Sequence, residues 1–169
     1  KGQSKMSFML KEFDRICRKY DVKYFLIGGS LIGALAYKGW IPWDGDVDLE
    51  VCEDDYDKLK NVIQNELPND IWFQDTSTDM FYHHRIASKL RHLNTCYIDY
   101  PYGGKKSHQG LQIDINIYKH KKLFFLTKTS LNTKNKKESL KKACCSKIII
   151  PININHVFTI KGKKLSAQF

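Results

Sequence analysis

Apolar and polar positions change period several times along the chain, and each change marks an element. Met9, Phe13, Ile16, Cys17 and Tyr20 recur at helical spacing, which predicts an amphipathic helix over residues 7–20. Residues 22–27 (VKYFLI) are short, apolar and partly β-branched, as suits a buried strand. Residues 31–37 read as one or two helical turns closed by Lys38-Gly39. Asp46, Asp48 and Glu50 then alternate with Val47, Leu49 and Val51, which predicts a strand over 46–51 with an acidic face and an aliphatic face. Residues 54–67 return to the helical period: Tyr56, Leu59, Val62, Ile63 and Leu67 point inward, acids fill the first turn and Pro68 ends it. Residues 71–74, 81–90 and 95–100 are candidate strands. Residues 111–117 (LQIDINI) alternate almost ideally, with Gln112, Asp114 and Asn116 on the polar face.

Two of these elements carry chemistry. Gly28 and Gly29 let the backbone turn tightly and approach a ligand. Ser30 is a good N-cap for the helix that follows, and amide groups at a helix start favour an anion. The turn therefore offers a phosphate seat, although a Gly-Gly-Ser turn is often only a turn. On the next strand three carboxylates share one face. Crowded like charges raise one another's pKa, and a divalent cation relieves the conflict; Mg²⁺ is commonly held by one or two carboxylates together with substrate phosphate. Asp114 is the one acid on the polar face of its strand. If that strand lies beside 46–51, Asp114 faces Asp46 and Asp48 and can orient the metal or take a proton from an acceptor hydroxyl. The plain alternatives are a solvated strand face and an ordinary exposed Asp.

These residues resemble the signature of the LicD family, which includes bacterial phosphocholine transferases, fukutin and fukutin-related protein. The likeness rests on Gly28-Gly29-Ser30-Leu31-Ile32-Gly33-Ala34 and on Lys38-Gly39-Trp40-Ile41-Pro42-Trp43-Asp44-Gly45-Asp46-Val47-Asp48. Residues 88–99 (SKLRHLNTCYID) and 110–115 (GLQIDI) are similar to two later blocks, so the likeness covers about residues 7–118. The chain departs from the pattern at Gly45, where the family usually has Asp, and after Ile115, where Asn116-Ile117-Tyr118 replaces a tendency to Phe-Pro.

The resemblance implies an α+β, nucleotidyltransferase-like (polymerase-β-type) mixed sheet flanked by helices. It implies transfer of a phospho-alcohol group (phosphocholine, ribitol phosphate or similar) from a CDP-activated donor to a sugar hydroxyl of a glycan or glycoprotein. Asp46, Asp48 and Asp114 would be catalytic and would hold Mg²⁺ or Mn²⁺. Gly28, Gly29, Ser30, Lys89 and Arg91 would bind the donor, the last two through its phosphates; two cations on a strand edge is the competing reading. Residues 101–109 (PYGGKKSHQ) read as a loop over this site.

Charge divides the chain. Residues 1–118 carry 15 Lys/Arg against 17 Asp/Glu, and residues 119–169 carry 13 Lys against the single acid Glu138. The expected organisation is a catalytic domain over 7–118 and a Lys-rich segment over 119–169 that is disordered or loosely helical. The tail can meet membrane lipid, nucleic acid or an acidic glycan; nucleic acid is not the expected partner of the whole. Five cysteines without C-x-x-C spacing give no zinc signature, and Cys17 and Cys52 sit where small buried thiols belong. His83, His84 and His108 read as satisfied surface or core histidines. No apolar run approaches ~20 residues, so no membrane span is expected. The chain begins at Lys1 without a signal-like start, which suggests a fragment whose membrane tether lies outside it. The expected location is the Golgi or endomembrane lumen if the source is eukaryotic, and the cytoplasm if bacterial. Two other functions stay open: a nucleotidyltransferase acting on RNA or a small molecule, and a non-catalytic truncated relative.

Overall fold

The computed structural model describes residues 1–98 and 106–119, together with the strand residues 158–160 and 163–165. Helix α1 (Gly2–Lys19) buries Met6, Met9, Leu10, Phe13, Ile16 and Cys17 along one stripe. It begins five residues before the expected start. The reason is tertiary: Met6 is buried, and Gln3 Nε2 donates to the carbonyls of Ile41 and Asp44 at 3.0 Å each. Strand β1 (Tyr24–Leu26) follows, then a short helix α2 (Gly28–Ile32) that continues as a π-helical turn, Gly33–Tyr37. Strand β2 (Asp48–Cys52) runs directly into helix α3 (Glu53–Glu66). Strands β3 (Ile71–Gln74), β4 (Ser88–His92) and β5 (Gln112–Tyr118) complete the main sheet.

The five strands stand in the order β1-β2-β5-β4-β3. β2 and β5 are parallel, and the other three pairings are antiparallel. α1 packs on β4 and β5, α3 packs on β2, β3 and β5, and the two helices touch. They cover the face that carries Leu49, Val51, Phe73, Leu90, Ile113 and Ile115, all at most 1% exposed. Burying such a side chain contributes roughly 1.5–3 kcal/mol, so this face holds the sheet together. The opposite face carries Asp48, Gln74, Lys89, Arg91, Gln112 and Asp114, because residues two apart on a strand point the same way. Here the expected α+β mixed sheet with flanking helices is what the chain adopts.

Several expectations differ in detail. Only the end of the 81–90 stretch forms a strand; Phe81 ends a turn, residues 82–84 have no regular structure and residues 85–87 form a bend, with Tyr82 N donating to Asp79 O at 3.0 Å. Residues 95–98 have no regular structure, and residues 99 and 100 lie outside the described residues. The loop expected over 101–109 is described from residue 106 onward. Of the Lys-rich segment, expected to be disordered or helical, Phe158–Ile160 (β6) and Lys163–Leu165 (β7) pair antiparallel. The rest of that expectation falls outside the described residues. Among the described residues Cys17, Cys52 and Cys96 are free thiols, and no helix is long and apolar enough to cross a membrane.

Candidate functional site

The site is built where β1 turns into α2, at the mouth of β2. Ile27 N donates to Asp48 O at 3.1 Å, which brings the end of β1 beside the start of β2. Gly28 takes a left-handed φ of +54°, and a Cβ there would lie 2.9 Å from Asp48 Oδ2. A Cβ on Gly29 would lie 2.8 Å from Asp44 Oδ2. The left-handed φ suits glycine at position 28, and the absence of a Cβ at both positions lets two carboxylates lie against the turn, where a side chain would push them aside. Ser30 is not the N-cap. Ile27 holds that position, and the Ser30 hydroxyl, one turn into the helix, accepts the Asp48 N–H at 2.9 Å. The helix was expected to begin after Ser30, but the glycines are already helical, which moves the cap back to Ile27.

Asp48 pairs with Asp114 across the parallel β2–β5 ladder, and Asp114 N donates to Val47 O at 2.8 Å. Asp46 precedes the strand yet joins the same group. Its pKa is raised to about 6, first by burial and then by the charges of Asp48, Asp114 and Asp44. Asp48 is raised by burial, then by Asp114 and Asp44, with Lys89 opposing. Glu50, the third acid of the alternating run, is raised by burial alone; in register it stands between Phe25 and Asn116. The cluster is thus Asp44, Asp46, Asp48 and Asp114, without Glu50. Asp44 was missed because it lies outside the alternating run. The Ile41–Asp44 turn, closed by Asp44 N to Ile41 O at 3.0 Å, swings it over Gly29. Between the two acids, a Cβ on Gly45 would stand 3.3 Å from the Tyr97 hydroxyl, so that phenol also borders the cluster.

Lys89 and Arg91 do not lie on a strand edge. β4 runs between β5 and β3, and the two side chains are 1% and 0% exposed. Lys89 Nζ stands 2.9 Å from Asp114 Oδ1 and donates to Gln112 Oε1 at 2.9 Å. Arg91 Nε donates to Gln74 Oε1 at 2.7 Å, and Nη1 donates to Gln112 Oε1 at 2.6 Å and Gly110 O at 2.8 Å. Lys89 therefore reaches the acid cluster, whereas Arg91 is buried and directs Nε and Nη1 to Gln74, Gln112 and Gly110. Gln74 and Gln112 escaped the sequence reading, since a Gln on an alternating strand looks like an ordinary solvent-facing residue.

Asp46 and Asp48, which unlike Asp114 do not pair directly with Lys89, fit a hard cation. They are half-buried and each suffers from its neighbours' charge, so a divalent ion would offset what the protein leaves uncompensated. Asp114 fits less simply, because an ammonium already stands on it. Among the described residues no group of three His, Cys, Asp or Glu side chains is gathered closely enough to hold a metal ion as it stands. The histidines lie elsewhere: His84 stacks on Tyr82 with ring centroids 4.9 Å apart. His108 lies near Trp72, at 6.0 Å, and its pKa is lowered by burial and then by Arg91.

The family profile described as "LicD/FKTN/FKRP, nucleotidyltransferase domain" matches residues 21–144. It runs past Tyr118, further than the motifs alone reach. A lipopolysaccharide cholinephosphotransferase LicD of Haemophilus influenzae is 40% identical over 68 residues, which is 40% of this chain and 22% of that protein. Uncharacterized proteins of Rickettsia prowazekii and Rickettsia typhi are 29% and 27% identical over 55 residues, 32% of this chain and 21% and 18% of theirs. The matched stretches thus span about a fifth of those relatives' lengths.

Proposed function

We propose, from the premise that this chain belongs to the LicD family, that it transfers a phospho-alcohol group from a CDP-activated donor to a sugar hydroxyl of a glycan or glycoprotein. The phospho-alcohol is phosphocholine, ribitol phosphate or a similar group; the similarity to a lipopolysaccharide cholinephosphotransferase supports the first. The observation that carries the reading is the pairing of Asp48 with Asp114 on adjacent strands beside the half-buried Asp46. Such a set of acids is costly for a fold to keep unless it does chemistry.

In the proposed reaction the acceptor hydroxyl oxygen bonds to the phosphorus that carries the alcohol. The pyrophosphate P–O bond breaks, and CMP leaves with that electron pair. Asp114 receives the hydroxyl proton. Asp46 and Asp48 would hold Mg²⁺ or Mn²⁺, which supplies charge stabilisation to the phosphoryl oxygens when bound. Gly28 and Gly29 let the Asp48 and Asp44 carboxylates lie against the turn at which the donor's phosphates would bind, and Ser30 fixes the start of β2 from which Asp48 projects. Lys89 brings positive charge to the same place. The catalytic unit is proposed to be the nucleotidyltransferase-like domain over residues 7–118, with the Lys-rich segment 119–169 outside the chemistry. The proposed compartment is the Golgi or endomembrane lumen for a eukaryotic source and the cytoplasm for a bacterial one.

The test is direct. The protein is incubated with Mg²⁺ or Mn²⁺ and CDP-choline, CDP-ribitol, CTP or ATP, and release of CMP or pyrophosphate is followed. CMP release that vanishes in Asp46→Ala supports the proposal. Pyrophosphate release from CTP or ATP would instead identify a nucleotidyltransferase, and metal binding without turnover a non-catalytic relative.

A further inference from the structure

A continuous run of buried hydrogen bonds joins the Asp114 carboxylate to the turn that follows β3. At the far end Asp79 Oδ2 accepts from Gln74 Nε2 at 2.7 Å and from Ser107 Oγ at 2.9 Å. Gln74 Oε1 accepts from Arg91 Nε at 2.7 Å. Arg91 Nη1 donates to Gln112 Oε1 at 2.6 Å, and Lys89 Nζ donates to that same oxygen at 2.9 Å. The ammonium then meets Asp114, 2.9 Å from Oδ1 and 3.2 Å from Oδ2. Gln74, Lys89, Arg91 and Gln112 are all at most 3% exposed.

The order along this run is carboxylate, amide, guanidinium, amide, ammonium, carboxylate. Two buried cations, two residues apart on β4, would repel each other across a low-dielectric interior. One amide oxygen, accepting from both, lets them stand together, and it is the only orientation of the Gln112 amide that does so: its nitrogen would set donors against donors. With its head held by Gln112 on one side, the Lys89 ammonium donates to Asp114 Oδ2 on the other and stands in ion-pair range of Oδ1. The carboxylate is thereby fixed in rotation where it faces Asp48.

We propose that Gln112 is a positioning residue for Asp114, acting through Lys89. The assignment rests on the proposed role of Asp114 in the transfer reaction. Arg91 belongs to the same device at one remove, since it fixes which way the Gln112 amide faces. Its burial is then explained without any contact to the donor.

The test uses the full chain with Gln112→Leu, which removes the acceptor, Gln112→Asn, which withdraws it by one methylene, and Gln112→Glu, which keeps it in reach. CMP release from CDP-choline with Mg²⁺ is measured beside the ¹⁵N side-chain spectrum of the lysines and the melting temperature. The Lys89 ammonium resonance, identified by its loss in Lys89→Met, is expected to shift in Gln112→Leu and Gln112→Asn. With it kcat falls about 10- to 100-fold, as for a misplaced reacting group, while the donor KM stays within about threefold. Gln112→Glu restores kcat to within about fivefold of wild type. A Gln112→Asn protein that melts lower but keeps its kcat and its Lys89 resonance would show a merely structural glutamine and overturn the proposal. If Gln112→Leu does not fold, Gln112→Asn decides. If the wild type turns over no CDP-alcohol, the transfer reading fails separately; the resonance still decides whether Gln112 holds Lys89 on Asp114, an unmoved signal overturning it and a moved one supporting it.

Discussion

Asp48 and Asp114 stand opposite each other on adjacent parallel strands, β2 and β5, although α3, β3 and β4 lie between them in sequence. The register is held from the other face. Leu49 and Ile115, paired one step along the ladder, are both fully buried against the helices. A slip of β5 by one residue against β2 would send Ile115 to the polar face and Asp114 into the core. The apolar face of the sheet therefore enforces the crowding of charge on the other.

That crowding has a thermodynamic signature at Asp46. Its carboxyl is raised from 3.8 to about 6 by burial and by Asp48, Asp114 and Asp44. Because the folded pKa is the higher one, the folded state holds the proton more tightly, and stability falls as pH rises through the window between those two values. Above it the ionised group weakens the fold by about 1 kcal/mol, after discounting for its partial exposure. Asp46→Asn should therefore melt higher than the wild type at neutral pH, by a few degrees, and should show a shallower decline with pH, the remainder belonging to Asp48 and Glu50. CMP release should fall by at least about a hundredfold. A variant that melts lower at pH 7 would show that the acids do not repel.

The glycine turn predicts a second separation of activity from stability. In Gly29→Ala the new Cβ meets a side-chain oxygen, Asp44 Oδ2, at 2.8 Å, whereas in Gly33→Ala it meets the backbone carbonyl of Gly39 at 2.5 Å. A carboxylate can rotate away and a packed backbone cannot. Gly29→Ala should change melting by less than about 1 kcal/mol while displacing Asp44 and lowering turnover. Gly33→Ala should cost roughly 1–3 kcal/mol, as overpacking does. Thermal melts and CMP release on the two variants check the contrast, and equal loss of stability in both would refute it.

Away from the site, Glu66 clamps the end of α3 to α1. It accepts from Lys19 Nζ and from the Tyr20 hydroxyl at 2.7 Å each, and lies 3.4 Å from Arg15 Nη1. Lys19, then Tyr20, hold its carboxyl down at about 2 from 4.5. Here the folded pKa is the lower, so the contribution is present above pH 4.5 and is lost as pH falls through about 2. Glu66→Gln should remove that acid-sensitive part of the melting curve and make it less dependent on salt, with turnover at neutral pH unchanged. Coincident melting curves of variant and wild type from pH 2 to pH 5 would refute the clamp.

Much of this was legible in the alternation of residue types. β3 falls at the expected residues, β5 and α3 within one residue of theirs, and Asp114 was expected to face Asp46 and Asp48 from a neighbouring strand. What alternation could not show is which strand lies inside the sheet. Lys89 and Arg91 look like edge cations until β4 is found between β5 and β3, and their partners Gln74 and Gln112 acquire meaning only from that neighbour relation. Asp44 was hidden for a different reason: a turn, not a strand, delivers it, so period-2 counting passed it over. The 81–90 stretch misled because aromatic and histidine side chains mimic strand composition, while hydrogen bonds of Asp79 to the backbone of Phe81 and of Tyr82 back to Asp79 hold its first residues in turns.

The buried pair Lys89–Asp114 gives the last prediction. Each partner is nearly inaccessible to water, with side-chain exposures of 1% and 9%. Removing the ammonium in Lys89→Met leaves a carboxylate among three others with no compensating charge, and breaking such a pair costs about 3–5 kcal/mol. Removing the carboxylate alone in Asp114→Asn strands a buried ammonium at a similar cost. The double variant carries neither penalty in full and should recover about half or more of the lost stability, because each single change mostly measures the charge left behind. Neither single variant nor the double should turn over, since Asp114 is proposed to take the acceptor proton and Lys89 to hold it in place. Denaturant melts of the four proteins close the cycle. Additive losses in the double variant would show that the ammonium and the carboxylate do not act as a pair.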